Sequence, residues 1–250
     1  MAVKKGFVHV VGAGPGDPGL LTQRGLEALE KADLIIHDGL LGDAFEKALP
    51  RRPMRLSLEG DLAVEPVHLA IAAAREGRRV VLLHVGDPFL FAGGDEDVDG
   101  LRKARTAYEI IPGVSAATAA AAEYAIPLTA AECAQGVMVL PGRKGAEVDW
   151  RHAARFEGTL VVMMGTSELP AICRRLVRFG RPAATPVAVI ERASWSDSRA
   201  VVGTLGDIGG KAKRAKVRSP TVTIIGEVVR RSPLLGQRRY KPRRVPKRRP

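Results

Sequence analysis

Residues 7–41 read FVHVVGAGPGDPGLLTQRGLEALEKADLIIHDGLL, and their order decides the fold class. Phe7–Val11 is a short β-branched apolar run with the length of a buried strand, and it enters the turn Gly12-Ala13-Gly14-Pro15-Gly16-Asp17-Pro18. A helix is predicted from about Leu21 to Lys31, followed by a second strand over Leu34–His37. Strand, tight turn, helix and strand in immediate succession make an α/β unit.

The alternation continues downstream. Helix is expected over Glu65–Arg75 and Ser115–Ala122, with strands over Arg79–His84 and Tyr108–Ile111. From about Gly136 a second series begins, with strands at Val137–Leu140, Thr159–Met164, Pro186–Ile190 and Thr221–Ile225. Helices near Asp149–Arg155, Glu168–Phe179 and Leu205–Lys213 separate these strands, and Arg199–Val202 adds a short antiparallel strand. No repeat of fixed period is present. The expected organisation is an N-terminal α/β domain over 1–113, a C-terminal α/β domain over 114–231 and a basic tail over 232–250.

Composition narrows the class. The chain has 250 residues, 46% apolar and 26% charged, the balance of a globular protein able to bury a sizeable core. No apolar run nears the roughly 18 residues that span a bilayer. The start is too poor in apolar residues for a signal-peptide core. Cys133 and Cys173 have no metal-ligand spacing, so a disulfide scaffold and a zinc site are set aside and a reducing cytoplasm is expected. The net charge of +12 suggests a nucleic-acid protein until it is located: Arg230–Pro250 holds ten basic residues and no acid. That tail, rich in proline and poor in apolar residues, is expected to be disordered. It is either a solubilising extension or a non-specific contact to polyanions, RNA included.

The glycine turn fails as a dinucleotide fingerprint. G-x-G-x-x-G needs a glycine where this chain has Asp17; Pro15 lacks an amide hydrogen, and Asp17 would set a negative charge beside a pyrophosphate. The turn suits a neutral or cationic ligand, or none. Gly86-Asp87-Pro88 and Pro112-Gly113-Val114-Ser115 follow later strands of the same series, so three loops are expected to converge at strand carboxyl ends, where α/β sheets bind ligands.

These segments carry a resemblance. Residues 8–41, together with VGDPFLF, IIPGVSAATAAAAEYAIPLT, VVMMGTSELP, PVAVIERASWSDSRAVVGTL and SPTVTIIGEVV in that order, resemble the tetrapyrrole methylase family, and within it the uroporphyrinogen-III C-methyltransferase branch. The likeness covers about Phe7 to Arg230. It implies a two-domain α/β fold with the active site in the cleft between the lobes, a homodimer, and S-adenosyl-L-methionine as cofactor. The implied reaction methylates two carbons of uroporphyrinogen III to give precorrin-2, on the way to sirohaem or cobalamin. By position, the resemblance implies that Pro15, Val85, Gly86, Asp87, Leu90, Ser115, Ala116, Met164, Ala193 and Val222 line the cofactor pocket. Asp87 is a partner for a cofactor hydroxyl or ammonium, or a turn cap before Pro88; Met164 is a ligand contact or core filler. Asp38, after the second strand, is the candidate catalytic residue, as proton acceptor or as orienter of a pyrrole N–H, and otherwise a strand-end turn residue. His37 and His84 read as structural histidines.

Two departures from the family pattern fall near the substrate mouth. The region RRPMRLSLEGDLAVEP is shortened and has Glu59 and Asp61 where basic groups are expected. The expected Gly-Arg-Gly-Gly-Glu-Glu reads Ala92-Gly93-Gly94-Asp95-Glu96-Asp97, without the arginine. The usual lysine is His84 and the glycine after it Val85. A substrate with eight carboxylates needs cations. Arg51 and Arg52 are the expected substrate contacts, with Arg55, Arg143 and Lys144 as further candidates; each is otherwise solvated surface charge. Alternative readings are methylation of another tetrapyrrole or of a different substrate, a degenerate paralogue that binds S-adenosyl ligands without turnover, and a methylase fold with the tail as RNA anchor.

Overall fold

A computed structural model describes residues 6–39, 41–58 and 65–235. The chain divides into two compact units, Met1–Ser115 and Ala116–Pro250.

The first unit is built on five parallel strands. β1 (Phe7–Gly12) leads through the glycine turn to α1 (Gln23–Lys31), then β2 (Leu34–Asp38), α2 (Asp43–Ala48) and β3 (Met54–Leu58). α3 (Pro66–Arg75), β4 (Arg79–His84), α4 (Gly94–Lys103) and β5 (Tyr108–Ile111) complete it. The strand order is β3-β2-β4-β1-β5, with all four pairings parallel. Strands of such a sheet are apolar on both faces because helices cover both. Val8, Val10, Leu34, Ile36, Val80 and Leu82 pack under α3 and α4, while Val11, Ile35, Val81, Leu83 and Ile111 pack under α1 and α2. Thr22 caps α1 by accepting from the Gly25 amide at 3.1 Å.

Three elements go beyond the sequence reading. α2 is one short turn-and-a-half anchored by buried Phe45. β3 is an edge strand, exposed along most of its length, so it lacks the apolar run that marks β1 or β4. α4 opens on Asp95, Glu96 and Asp97, where acids complement the positive helix end, and buries only Gly94, Asp97 and Leu101.

The second unit carries a mixed five-stranded sheet. Its elements are α5 (Ala116–Glu123), β6 (Val137–Pro141), α6 (Trp150–Arg155), β7 (Thr159–Met163), α7 (Leu169–Arg178) and β8 (Pro186–Glu191), then β9 (Arg199–Thr204), α8 (Ile208–Arg214) and β10 (Thr221–Ile225). The order is β6-β7-β10-β8-β9; β6 and β7 are parallel, and β10 runs antiparallel to β7 and β8. The short strand expected at Arg199 is β9, antiparallel to β8. One face is covered by α6, α7 and α8, the other by α5 with Tyr124, Val228 and Val229. α7 shows the amphipathic rule: Leu169, Ile172, Cys173 and Leu176 face inward. Burial pushes the Cys173 thiol up to about 11, and Arg174 and Arg175 are exposed.

The boundary of the expected tail moves. Ser232 donates its hydroxyl to the Tyr124 carbonyl, and Leu235 packs on the α5-side core, so residues 232–235 belong to the second unit. The disorder expected of the tail falls mainly on residues 236–250, which lie outside the described residues, as do Glu59 and Asp61.

Candidate functional site

In the first unit the carboxyl ends of β1, β4 and β5 meet backbone against backbone. Ala13 donates to the His84 carbonyl at 2.7 Å, and Gly14 and Gly86 exchange two amide hydrogen bonds of 3.1 and 2.8 Å. A Cβ on Gly12 would lie 2.5 Å from the Gly113 nitrogen and 2.6 Å from the Gly86 oxygen. A Cβ on Gly113 would fall on the Gly86 oxygen as well. Glycine is therefore a packing requirement at both positions, because the neighbours are main chain and cannot rotate away. The three loops named from the sequence do converge.

Asp87 locks that convergence. Its Oδ1 accepts from the Phe89 amide at 2.9 Å and its Oδ2 from the Gly113 amide at 3.1 Å, so the carboxylate caps its own turn and staples it to the loop after β5. Gly14 also binds Gly86 beside Pro15, and Val85 packs against the α1-side core. Around Leu90 stand two exposed aromatics, Phe89 at 53% and Phe91 at 42%, the latter at φ +60°. Asp17 caps the following turn, accepting from the Gly19 amide at 2.8 Å.

Asp38 ends β2, paired in register with Leu58, at the same carboxyl edge of the sheet. Arg51 and Arg52 are exposed. They precede β3, which runs parallel to β2, and so lie at the amino edge, about 15 Å of strand away from the loops. Arg55 is accounted for: its Nη2 donates to the Leu49 and Pro50 carbonyls at 2.8 and 2.7 Å and its Nη1 to Glu46, closing the end of α2.

The second unit gathers its predicted residues at one edge of its own sheet. Met164 follows β7, Ala193 follows β8, and Val222 in β10 pairs with Met163 and Ile190. Met164 is 41% exposed and adopts φ +56°, which argues against core filler. Ala193 is buried between Arg192 at φ +53° and Ser194 at φ +69°. Val222 and Ala116 belong to the α5-side core, Val222 with its side chain buried. Arg143 and Lys144 follow β6, whose Pro141 is in register with Met163, and so stand at this same edge and exposed.

Sequence reading missed a hydroxyl chain here. Thr166 Oγ1 lies 2.8 Å from Thr221 Oγ1 and 3.1 Å from Ser219 Oγ, beside Met164 and Val222. It also missed the His84 contacts: Nδ1 is 2.9 Å from the Ala92 carbonyl and Nε2 is 2.8 Å from Asp97 Oδ2. Neither has a local signal, since the partners come from separate elements. Among the described residues no cluster of His, Cys, Asp and Glu can hold a metal ion, and no helix is long and apolar enough to cross a membrane. A shallow depression of about 410 Å³ beside Trp150, Arg151, Arg178 and Phe179 holds none of the predicted residues.

The residues fit an S-adenosyl ligand. Main-chain groups and small side chains at the β1, β4 and β5 ends permit close approach, and an anionic carboxylate at Asp87 suits a hydroxyl or ammonium partner.

Comparison with known proteins agrees with this chemistry. The profile of the family Tetrapyrrole (Corrin/Porphyrin) Methylases matches residues 8–209. A siroheme synthase of Azotobacter vinelandii is 39% identical over 90% of this chain and 50% of its own length. An S-adenosyl-L-methionine-dependent uroporphyrinogen III methyltransferase of Methanosarcina barkeri is 34% identical over 96% of this chain and 98% of its own. The chain thus spans about half the length of the siroheme synthase and nearly all of the archaeal methyltransferase. Among solved structures, a cobalt precorrin-4 methyltransferase superposes with TM-score 0.83 at 26% identity, covering 89% of this chain and 95% of that one. The uroporphyrin-III C-methyltransferase of Thermus thermophilus complexed with S-adenosylhomocysteine gives 0.79 at 34%, covering 89% and 98%.

Proposed function

The chain belongs to the tetrapyrrole methylase family, and from that premise we propose that it is an S-adenosyl-L-methionine-dependent C-methyltransferase converting uroporphyrinogen III to precorrin-2. The observation that carries the reading is the closure of the β1, β4 and β5 loops by the Gly14–Gly86 bonds and the Asp87–Gly113 staple. A loop set held by its own main chain needs no ordering when a ligand arrives.

The cofactor, when bound, supplies a methyl group already activated on a sulfonium sulfur, so the protein needs to position rather than activate. Pro15, Val85, Gly86, Asp87, Leu90 and Ser115 hold the ligand at the loop ends of the first unit, and Ala116, Met164, Ala193 and Val222 are the further contacts that the family resemblance adds. Asp38, at the carboxyl end of β2, orients a pyrrole N–H or accepts the proton released as the new carbon bond forms. Arg51 and Arg52, with Arg143 and Lys144 as further candidates, are the cations for the substrate carboxylates; the exposure of Arg143 and Lys144 on the edge that carries Met164 supports their part.

Several coarser points complete the reading. The enzyme works in the cytoplasm with both thiols free. It assembles as a homodimer, supported by Met54 and Leu56, exposed on the edge strand β3. Its basic tail contacts polyanions without sequence preference. Calorimetric titration with S-adenosylhomocysteine tests the cofactor part: saturable binding that Asp87→Ala weakens supports it, and no binding by the intact chain refutes it.

A further inference from the structure

We propose that His84 and Asp97 are positioning residues, an internal clasp that holds the Val85–Ala92 loop ready for the S-adenosyl ligand; this rests on the cofactor reading above. His84 is the last residue of β4, and its two ring nitrogens reach in different directions. Nδ1 lies 2.9 Å from the carbonyl oxygen of Ala92, at the far end of the loop, and Nε2 lies 2.8 Å from Oδ2 of Asp97, in the first turn of α4. Both side chains are shielded, 15% and 11% exposed.

A carbonyl and a carboxylate both accept, whereas a neutral imidazole offers a single N–H. Nε2 makes no hydrogen bond among the described residues, and its 2.8 Å approach to Asp97 Oδ2 is a close polar contact. The pair is a shielded close approach of an imidazole edge to a carboxylate.

The clasp ties three points together: the end of β4, the close of the loop and the start of α4. The loop between them carries Gly86, which bonds Gly14, and Asp87, which staples Gly113. It also carries Phe91, held at φ +60°. Releasing the clasp lets the loop sample other conformations, and the cost of reordering it then falls on ligand binding.

The test measures S-adenosylhomocysteine affinity by calorimetry and melting temperature for the intact chain and for His84→Gln, Asp97→Asn, the double variant and His84→Lys. Glutamine gives an N–H to one acceptor and sets its own oxygen against the other; lysine supplies several N–H groups for both. Each single loss is expected to weaken Kd about tenfold. The double variant is expected to be no weaker than the worse single one, and His84→Lys to recover to within about threefold of the original affinity. Asp97→Asn, isosteric and neutral, carries the test alone if His84→Gln does not fold. A purely structural role would lower melting temperatures and leave Kd unchanged where all variants are folded; that result, or additive losses in the double variant, overturns the proposal. If the intact chain does not bind the ligand, the cofactor reading fails and the clasp falls with it.

Discussion

Replacing Gly12 by alanine probes the loop convergence where it is tightest. The new methyl would sit 2.5 Å from the Gly113 nitrogen, 2.6 Å from its Cα and 2.6 Å from the Gly86 oxygen. Ordinary contact begins near 3.4 Å, so the ends of β4 and β5 must each retreat by almost an ångström. Overpacking against side chains costs about 1–3 kcal/mol, and main-chain neighbours put this site at the upper end. Retreat also stretches the Asp87–Gly113 bond, a charged hydrogen bond worth about 1.5–3 kcal/mol. Together these predict a loss of about 4 kcal/mol and a melting temperature lower by about 8–16 °C. Binding of S-adenosylhomocysteine at a temperature where the variant is folded should fall by about 100-fold. The control is the same substitution in a helix. Gly210 lies inside α8, and its added Cβ would meet only the Arg214 guanidinium at 3.4 Å, so Gly210→Ala should raise stability by about 0.5–1 kcal/mol. Scanning calorimetry reads the stabilities and titration the affinities. A Gly12→Ala protein with unchanged melting and affinity would refute the account of the loops.

Arg181 is buried and donates to the Phe156 and Gly158 carbonyls at 3.1 and 2.9 Å. Arg181→Met should therefore destabilise the second unit by about 2–4 kcal/mol in denaturant titration. Burial holds the His9 imidazole below its ordinary value of 6.5, with Glu109 opposing. The unfolded chain thus takes up the proton first, and stability that is full above pH 6.5 declines as pH falls toward the lower folded value. Melting temperatures between pH 7 and 5 should show this decline, and His9→Gln should flatten it. Gly93 has φ +78° and open space around its missing Cβ, so Gly93→Arg should cost about 1 kcal/mol and raise turnover of uroporphyrinogen III. Unchanged turnover would assign the altered mouth to another substrate. Truncation after Leu235 should abolish salt-dependent retention on an RNA column while leaving the melting temperature intact, because the packed residues end there.

Much of the fold was legible because the central strands are apolar on both faces. Phe7–Val11 and Arg79–His84 stand out as runs since helices cover them on both sides. β3 escaped for the converse reason: as an exposed edge strand it has no such run, and its direction is what decides where Arg51 and Arg52 lie. Counting that strand would have placed them at the amino edge. The converging loops were legible from glycines at strand ends, but the staple through Asp87 required knowing that β1 lies between β4 and β5. His84 reads as a structural histidine and Asp97 as one acid of the run Asp95-Glu96-Asp97. Their partnership depends on α4 folding back over the end of β4, which no local periodicity reports.

The central claim is methyl transfer to a tetrapyrrole carbon. Mass spectrometry of an anaerobic incubation with uroporphyrinogen III and S-adenosyl-L-methionine tests it most directly. The account predicts a product heavier by two methyl groups, formed with release of S-adenosylhomocysteine. No methylated product, beside a competent control enzyme working in the same mixture, would contradict it.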